Sequence, residues 1–108
     1  PPTAVVAAND LMAVGLLQAC EDAGLSIPGD ISLSGMDDTD LGQILRPHLT
    51  TVKMREEDIG SNAAKLLLER ILEGRTYQKT VRLEPELVVR QSSGPCRKVS
   101  AHRDTLNP

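Results

Sequence analysis

Aromatic residues are nearly absent from this 108-residue chain, which has no Phe, no Trp and one tyrosine, Tyr77. Its core must therefore be built from Leu, Ile, Val, Met and Ala. The rings that readers of sugars and nucleic acids commonly stack on their ligands are missing from its own sequence. Positive charge is also in deficit: 12 Lys and Arg against 15 Asp and Glu leave a formal charge of −3. No field of this chain draws in a phosphate backbone, which makes it by itself a poor DNA-binding surface. No run of about 18 apolar residues occurs, which excludes a transmembrane helix. The opening Pro1-Pro2-Thr3 has neither the charged nor the apolar region of a secretory leader. The expectation is a soluble, cytoplasmic protein that does not engage a membrane. Of the two cysteines, Cys20 falls in a helical pattern and Cys96 in a polar stretch. Their spacing suits neither a zinc site nor a redox pair, so two unrelated reduced thiols are expected, with no metal and no cofactor.

Catalytic patterns are equally scarce. His48 adjoins Pro47, His102 lies in the polar C-terminal stretch, no serine occupies a nucleophile turn and no Gly-rich segment cradles phosphate. The chain is not expected to be an enzyme. The one pattern pointing the other way is the polar run Asp37-Asp38-Thr39-Asp40. If Asp37 and Asp38 held magnesium, it would make a phosphoacceptor signalling domain, but magnesium sites usually borrow substrate phosphate as well.

What is present reads as an ordinary globular composition, 40% hydrophobic and 25% charged, at the size of one domain or less. "TAVVAA", residues 3–8, predicts a short strand covered on both faces, as in a parallel sheet. Helix follows over about 10–23, with Asn9 or Asp10 as cap and Gly24 past its end. "ISLSGM", 31–36, predicts a second strand, "DDTDLGQILRP" an acidic loop and a short helix stopped by Pro47, and "LTTVKM", 49–54, a third strand. Residues 55–73 predict an amphipathic helix with Ile59, Ala63, Leu66 and Leu67 on one face, closed by Gly74. "TVRLEPELVVRQ", 80–91, reads as extended chain interrupted at Pro85. Residues 92–108, without period, are expected to form a mobile polar tail. The element order implies an α/β fold with a largely parallel sheet flanked by helices.

Asn9 and Asp37 each stand just past the carboxyl end of a predicted strand, the edge of a parallel sheet where ligands bind. If those strands are neighbours, an amide that donates and accepts faces a carboxylate that accepts from adjacent hydroxyls, a pair suited to a polyol or sugar. The same residue types also cap helices and form turns. Capping by Asp10 would free Asn9 for the crevice, and Asp38, Thr39 and Asp40 are read as turn and cap residues.

In combination, "AND.MA.G" from Ala8, "P.DISL.G.DD" from Pro28, "P.LTTV" from Pro47 and "ELVVR.S" from Glu86 make the chain resemble the C-terminal part of LacI/GalR-family transcriptional regulators, over about residues 2–93. The resemblance implies part of a two-lobed, periplasmic-binding-protein-like effector domain, preceded in complete members by a helix-turn-helix that binds operator DNA and is absent here. It also implies that Asn9 and Asp37 line the cleft for a small polar effector. Residues 1–91 would be a partial effector-binding domain, in which 55–83 pack on a first lobe outside this chain. Two positions depart from the family. Met36 stands where Phe or Tyr is frequent, and Met54 where Gln is frequent, which removes a hydrogen-bonding group from the cleft.

On the first helix Leu11 and Val14 share an arc with Gln18, Glu21 and Asp22. Exposed apolar residues on a polar arc mark a partner surface unless the same chain covers them. The resemblance implies a homodimer contact on this helix and near Leu45. The leading expectation is thus a non-enzymatic sensor whose effector shifts the geometry of DNA-binding heads. The runner-up is a fragment of an exported sugar-binding protein of the same fold.

Overall fold

The computed structural model describes residues 1–97. The elements run β1 (Ala4–Val6), α1 (Asp10–Asp22), β2 (Ser32–Ser34), α2 (Asp40–Ile44), β3 (Thr51–Lys53), α3 (Glu56–Leu72) and β4 (Glu86–Val88). β1 and β2 pair in parallel, Ala4 opposite Ser32 and Val6 opposite Ser34. On the far side of β2 a parallel bridge joins Ser34 to Thr50, and the Gly35 and Asp37 N–H groups donate to Thr50 and Val52 carbonyls, both at 2.9 Å. β3 and β4 are antiparallel, Thr51 opposite Val88. The sheet is therefore parallel where helices make the crossovers and antiparallel where the chain returns beside the strand from which it left.

α1 forms where its signals are strongest. Asn9 caps it, and past its end Gly24 takes φ 68°. The Leu25 N–H then reaches back to the Cys20 carbonyl at 2.8 Å, satisfying a carbonyl the helix leaves open. Ala13 on this helix is fully buried with Leu33 of β2 and Leu49, and Val5, Ala7, Leu16, Leu17 and Ile27 pack around them. Cys20 is buried and Cys96 exposed, both as free thiols. No helix among the described residues is long and apolar enough to cross a membrane.

Two expectations need correction. β1 is not covered on both faces: Val5 packs on the core with Ala13 and Leu33, while Val6, on the opposite face, is 78% exposed. The polar tail does not begin at 92, since Ser92 is fully buried. Its Oγ donates to the Leu33 carbonyl at 2.6 Å and accepts from the Thr50 N–H at 2.8 Å, so it stitches β2 to the start of β3. Gly94 and Arg97 then follow β2 and the turn before it, through Ser32 and Asp30. The rest of the expected tail, 98–108 with His102, lies outside the described residues. α3 is helical as its period requires, and none of its residues is buried. Its far end is held only locally: the Glu69 carboxylate pairs with Arg75 and Lys79, each at 3.0 Å.

Candidate functional site

The strands that precede Asn9 and Asp37 are neighbours, the condition the sequence set. The β1–β2 register offsets partners by the same spacing that separates these two residues, and each lies three positions beyond the last pair, Val6 and Ser34. Bonds from the Ala7 N–H to the Ser34 carbonyl (2.8 Å) and from the Asp10 N–H to the Met36 carbonyl (2.9 Å) carry the pairing on to that point. The adjoining strands thus bring an amide and a carboxylate to one sheet edge.

The expected division of labour between Asn9 and Asp10 is reversed. Asn9 is the helix cap, its Oδ1 accepting from the Met12 N–H at 2.8 Å. Asp10 is not a cap but a fully buried carboxylate. It accepts from the Thr39 N–H (2.7 Å), the Thr39 hydroxyl (3.1 Å) and the Thr51 hydroxyl (2.8 Å). The physical reason is partner supply: a buried charge persists only where donors surround it, and the first turn of α1 aims Asp10 at donors from two other segments. Gly35 is small for the same reason. A Cβ there would overlap Asp10 Oδ1 and lie 3.2 Å from the Asp10 Cα.

Capping does not consume Asn9. Its oxygen is engaged, while its NH2 makes no hydrogen bond to a described residue and remains a donor. Asp37 is exposed and only accepts. A hydroxyl can accept from the first and donate to the second.

Asp38, Thr39 and Asp40 hold the turn, cap and first-turn positions expected of them, and the first two carry further bonds. Thr39 occupies the cap position of α2 without a side-chain cap bond, because its hydroxyl serves Asp10. Asp38 forms an ion pair with Arg90 at 2.5 Å, so it is not free to hold magnesium with Asp37. No group of three or more His, Cys, Asp or Glu among the described residues is placed to hold a metal. Sequence reasoning missed Thr51, Arg90 and Ser92. Nothing local marks them, since their partners lie on distant segments.

Of the residues expected at a dimer contact, Leu11 is 69% exposed, Gln18 is exposed, and Val14 and Leu45 are half-buried. Ile44, which the sequence did not single out, is 72% exposed on α2, the helix that packs beside α1. Met36 is partly exposed and Met54 half-buried.

The described residues thus form a parallel α/β layer with an amide and a carboxylate past the carboxyl ends of adjoining strands. The periplasmic binding protein-like domain family matches residues 1–93. The chain is 48% identical over 92 residues to the lactose operon repressor of Rhizobium radiobacter, covering 85% of this chain and 80% of that protein. It is 40% identical over 91 residues to the HTH-type transcriptional repressor PurR of Vibrio campbellii, covering 84% of this chain and 27% of that protein. The structure of a LacI family transcriptional regulator from Enterococcus faecium, with bound ribose, superposes with a TM-score of 0.79 at 38% identity, covering 88% of this chain and 35% of that one. The chain belongs to the LacI family of transcriptional regulators, within its periplasmic-binding-protein-like effector region. That is a family of regulators and not of enzymes. The chain spans about a quarter of the PurR relative's length.

Proposed function

We propose that this chain is the sensing part of a cytoplasmic LacI-type regulator, and that it binds a small polar effector, a sugar or related polyol, through Asn9 and Asp37. The observation that carries this reading is the shared register of β1 and β2, which delivers one donor and one acceptor to the same sheet edge. The ribose in the Enterococcus structure and the operon named for the Rhizobium relative support a hydroxyl-rich ligand. The exposed Leu11 and Gln18, with Val14 and Leu45, form a homodimer contact in this reading, and operator DNA is reached only through an N-terminal domain outside this chain. Segment 55–83 packs on the remainder of a two-lobed domain, which is why α3 presents Leu67, Leu68, Ile71 and Leu72 uncovered. Closure of the lobes on the effector then shifts the population of DNA-binding arrangements.

Calorimetric titration of the full-length protein with a sugar panel that includes ribose and lactose tests the site. Replacing a carboxylate that accepts from ligand hydroxyls costs roughly 1.5–3 kcal/mol, so Asp37→Ala is expected to weaken binding by about ten- to a hundredfold. Undiminished affinity in Asp37→Ala would overturn the assignment.

A further inference from the structure

The loop between β2 and α2 holds an unfavourable backbone shape. Asp37 and Asp38 have φ values of 103° and 55° in succession, a region that residues with a Cβ rarely enter. Two such residues in a row persist only where their surroundings over-determine them. The Asp37 N–H is fixed on the Val52 carbonyl at 2.9 Å, and the Asp38 N–H on the Thr51 hydroxyl at 3.3 Å. The Asp38 carboxylate is fixed on Arg90. The guanidinium spans two segments, with Nη2 donating to Asp38 Oδ1 at 2.5 Å and Nη1 to the Leu49 carbonyl at 3.0 Å. The Arg90 N–H is itself anchored on Thr50 Oγ1 at 2.9 Å. Both side chains are largely buried, 18% and 10% exposed. Water screens such a pair little, and losing one partner strands the other charge in a poorly solvated place.

Arg90 follows β4, and β4 pairs with β3. These two strands are the segments by which the chain leaves the sheet for α3 and returns from it. We infer that Arg90 is a positioning residue for the Asp37 carboxylate, acting through Asp38, and that it ties the shape of this loop to the β3–β4 pair that carries α3. A displacement of α3 relative to the sheet pulls on Arg90, then on Asp38, and so reorients Asp37. Conversely, a ligand seated on Asp37 favours one setting of the crossover. The inference rests on Asp37 being the effector carboxylate, but the clamp itself is a property of the loop.

The test joins site-resolved amide hydrogen exchange to sugar titration in the full-length protein, using Arg90→Gln, Asp38→Asn and the conservative Arg90→Lys. Exchange at the Asp37 and Thr39 amides is expected to rise at least tenfold in Arg90→Gln and Asp38→Asn, and less in Arg90→Lys. The Leu33 and Ala13 amides, which report the core, are expected to change by less than twofold. Unchanged exchange at 37–39, or an equal rise at Leu33 and Ala13, overturns the clamp, and this arm decides it whether or not a sugar binds. In the titration with ribose and lactose, Arg90→Gln is expected to weaken binding in parallel with Asp37→Ala. If Asp37→Ala weakens binding and Arg90→Gln does not, the effector site stands and the positioning role falls. If neither variant alters binding of a sugar that the protein takes up, the effector reading falls, and exchange still judges the clamp.

Discussion

α1 and α3 are both helices with an apolar side, and the chain treats them oppositely. α1 buries Asp10, Ala13 and Cys20, whereas α3 is four residues longer and buries none. Periodicity shows that a face needs cover but not where the cover comes from. For α1 it comes from β2 and Leu49. For α3 it does not come from the described residues, apart from Val81 and Leu83, which line a shallow groove against Ile59, Ala63 and Leu66. The packed half also uses a device the arm lacks, a buried carboxylate that collects donors from loop and strand.

Three interventions would break or sharpen this contrast. The largest effect is expected from Asp10→Ala, which leaves the Thr39 N–H and the Thr39 and Thr51 hydroxyls without their acceptor. Losing three hydrogen bonds to one carboxylate, with the fully buried Thr51 hydroxyl left out of reach of water, costs roughly 3–5 kcal/mol, to be read as a lowered urea midpoint. Asp10→Asn keeps an acceptor and is expected to cost less. An unfolding free energy for Asp10→Ala within about 1 kcal/mol of the parent would show that the carboxylate does not organise the packed half.

A smaller effect, informative by its context, is expected at α3. Leu68→Glu and Ile71→Glu change residues that are 51% and 65% exposed. In the 108-residue chain each should shift stability by under about 0.5 kcal/mol, as surface substitutions do. In the full-length protein the same changes are expected to cost about 2–3 kcal/mol, the value of burying such side chains. Equal, small effects in both settings would remove the first lobe, outside this chain, as the cover for this face.

The smallest effect concerns the local lock at the end of α3. The Lys79 ammonium, first by hydrogen bond and then by charge, together with Arg75, holds the Glu69 carboxyl below its ordinary value of 4.5. A carboxylate with a depressed folded value adds stability that is complete above about pH 4.5 and fades as the pH falls through the lower folded value. Acidification should therefore loosen the 74–79 turn in that window. A carboxyl-carbon NMR titration of Glu69 checks this, and Lys79→Met should move its midpoint upward. An unmoved midpoint would show that the pairing is too exposed to matter.

Much of the framework was legible in the sequence because its signals are short-range. Gly24 ends α1 and Gly74 follows α3, Pro47 stops the region of α2, and β-branched runs give the strands. That the strands before Asn9 and Asp37 are neighbours, which the sequence left as a condition, is seen in the register. What could not be read were contacts closed by the fold. Asp10 and Thr51 are 41 residues apart, and Asp38 and Arg90 are 52 apart. The capping choice between Asn9 and Asp10 failed for the same reason, since either side chain serves a helix end locally and only the distant donors decide which one turns inward.

The order of elements, their ends and the family were therefore set by the sequence alone, because hydrogen-bonding and rotational preferences act over a few residues. The tertiary structure decided which acid is buried and that Ser92 belongs to the core and not to a tail. Those outcomes depend on which segments come within about 3 Å of one another, a distance that residue spacing along the chain does not encode.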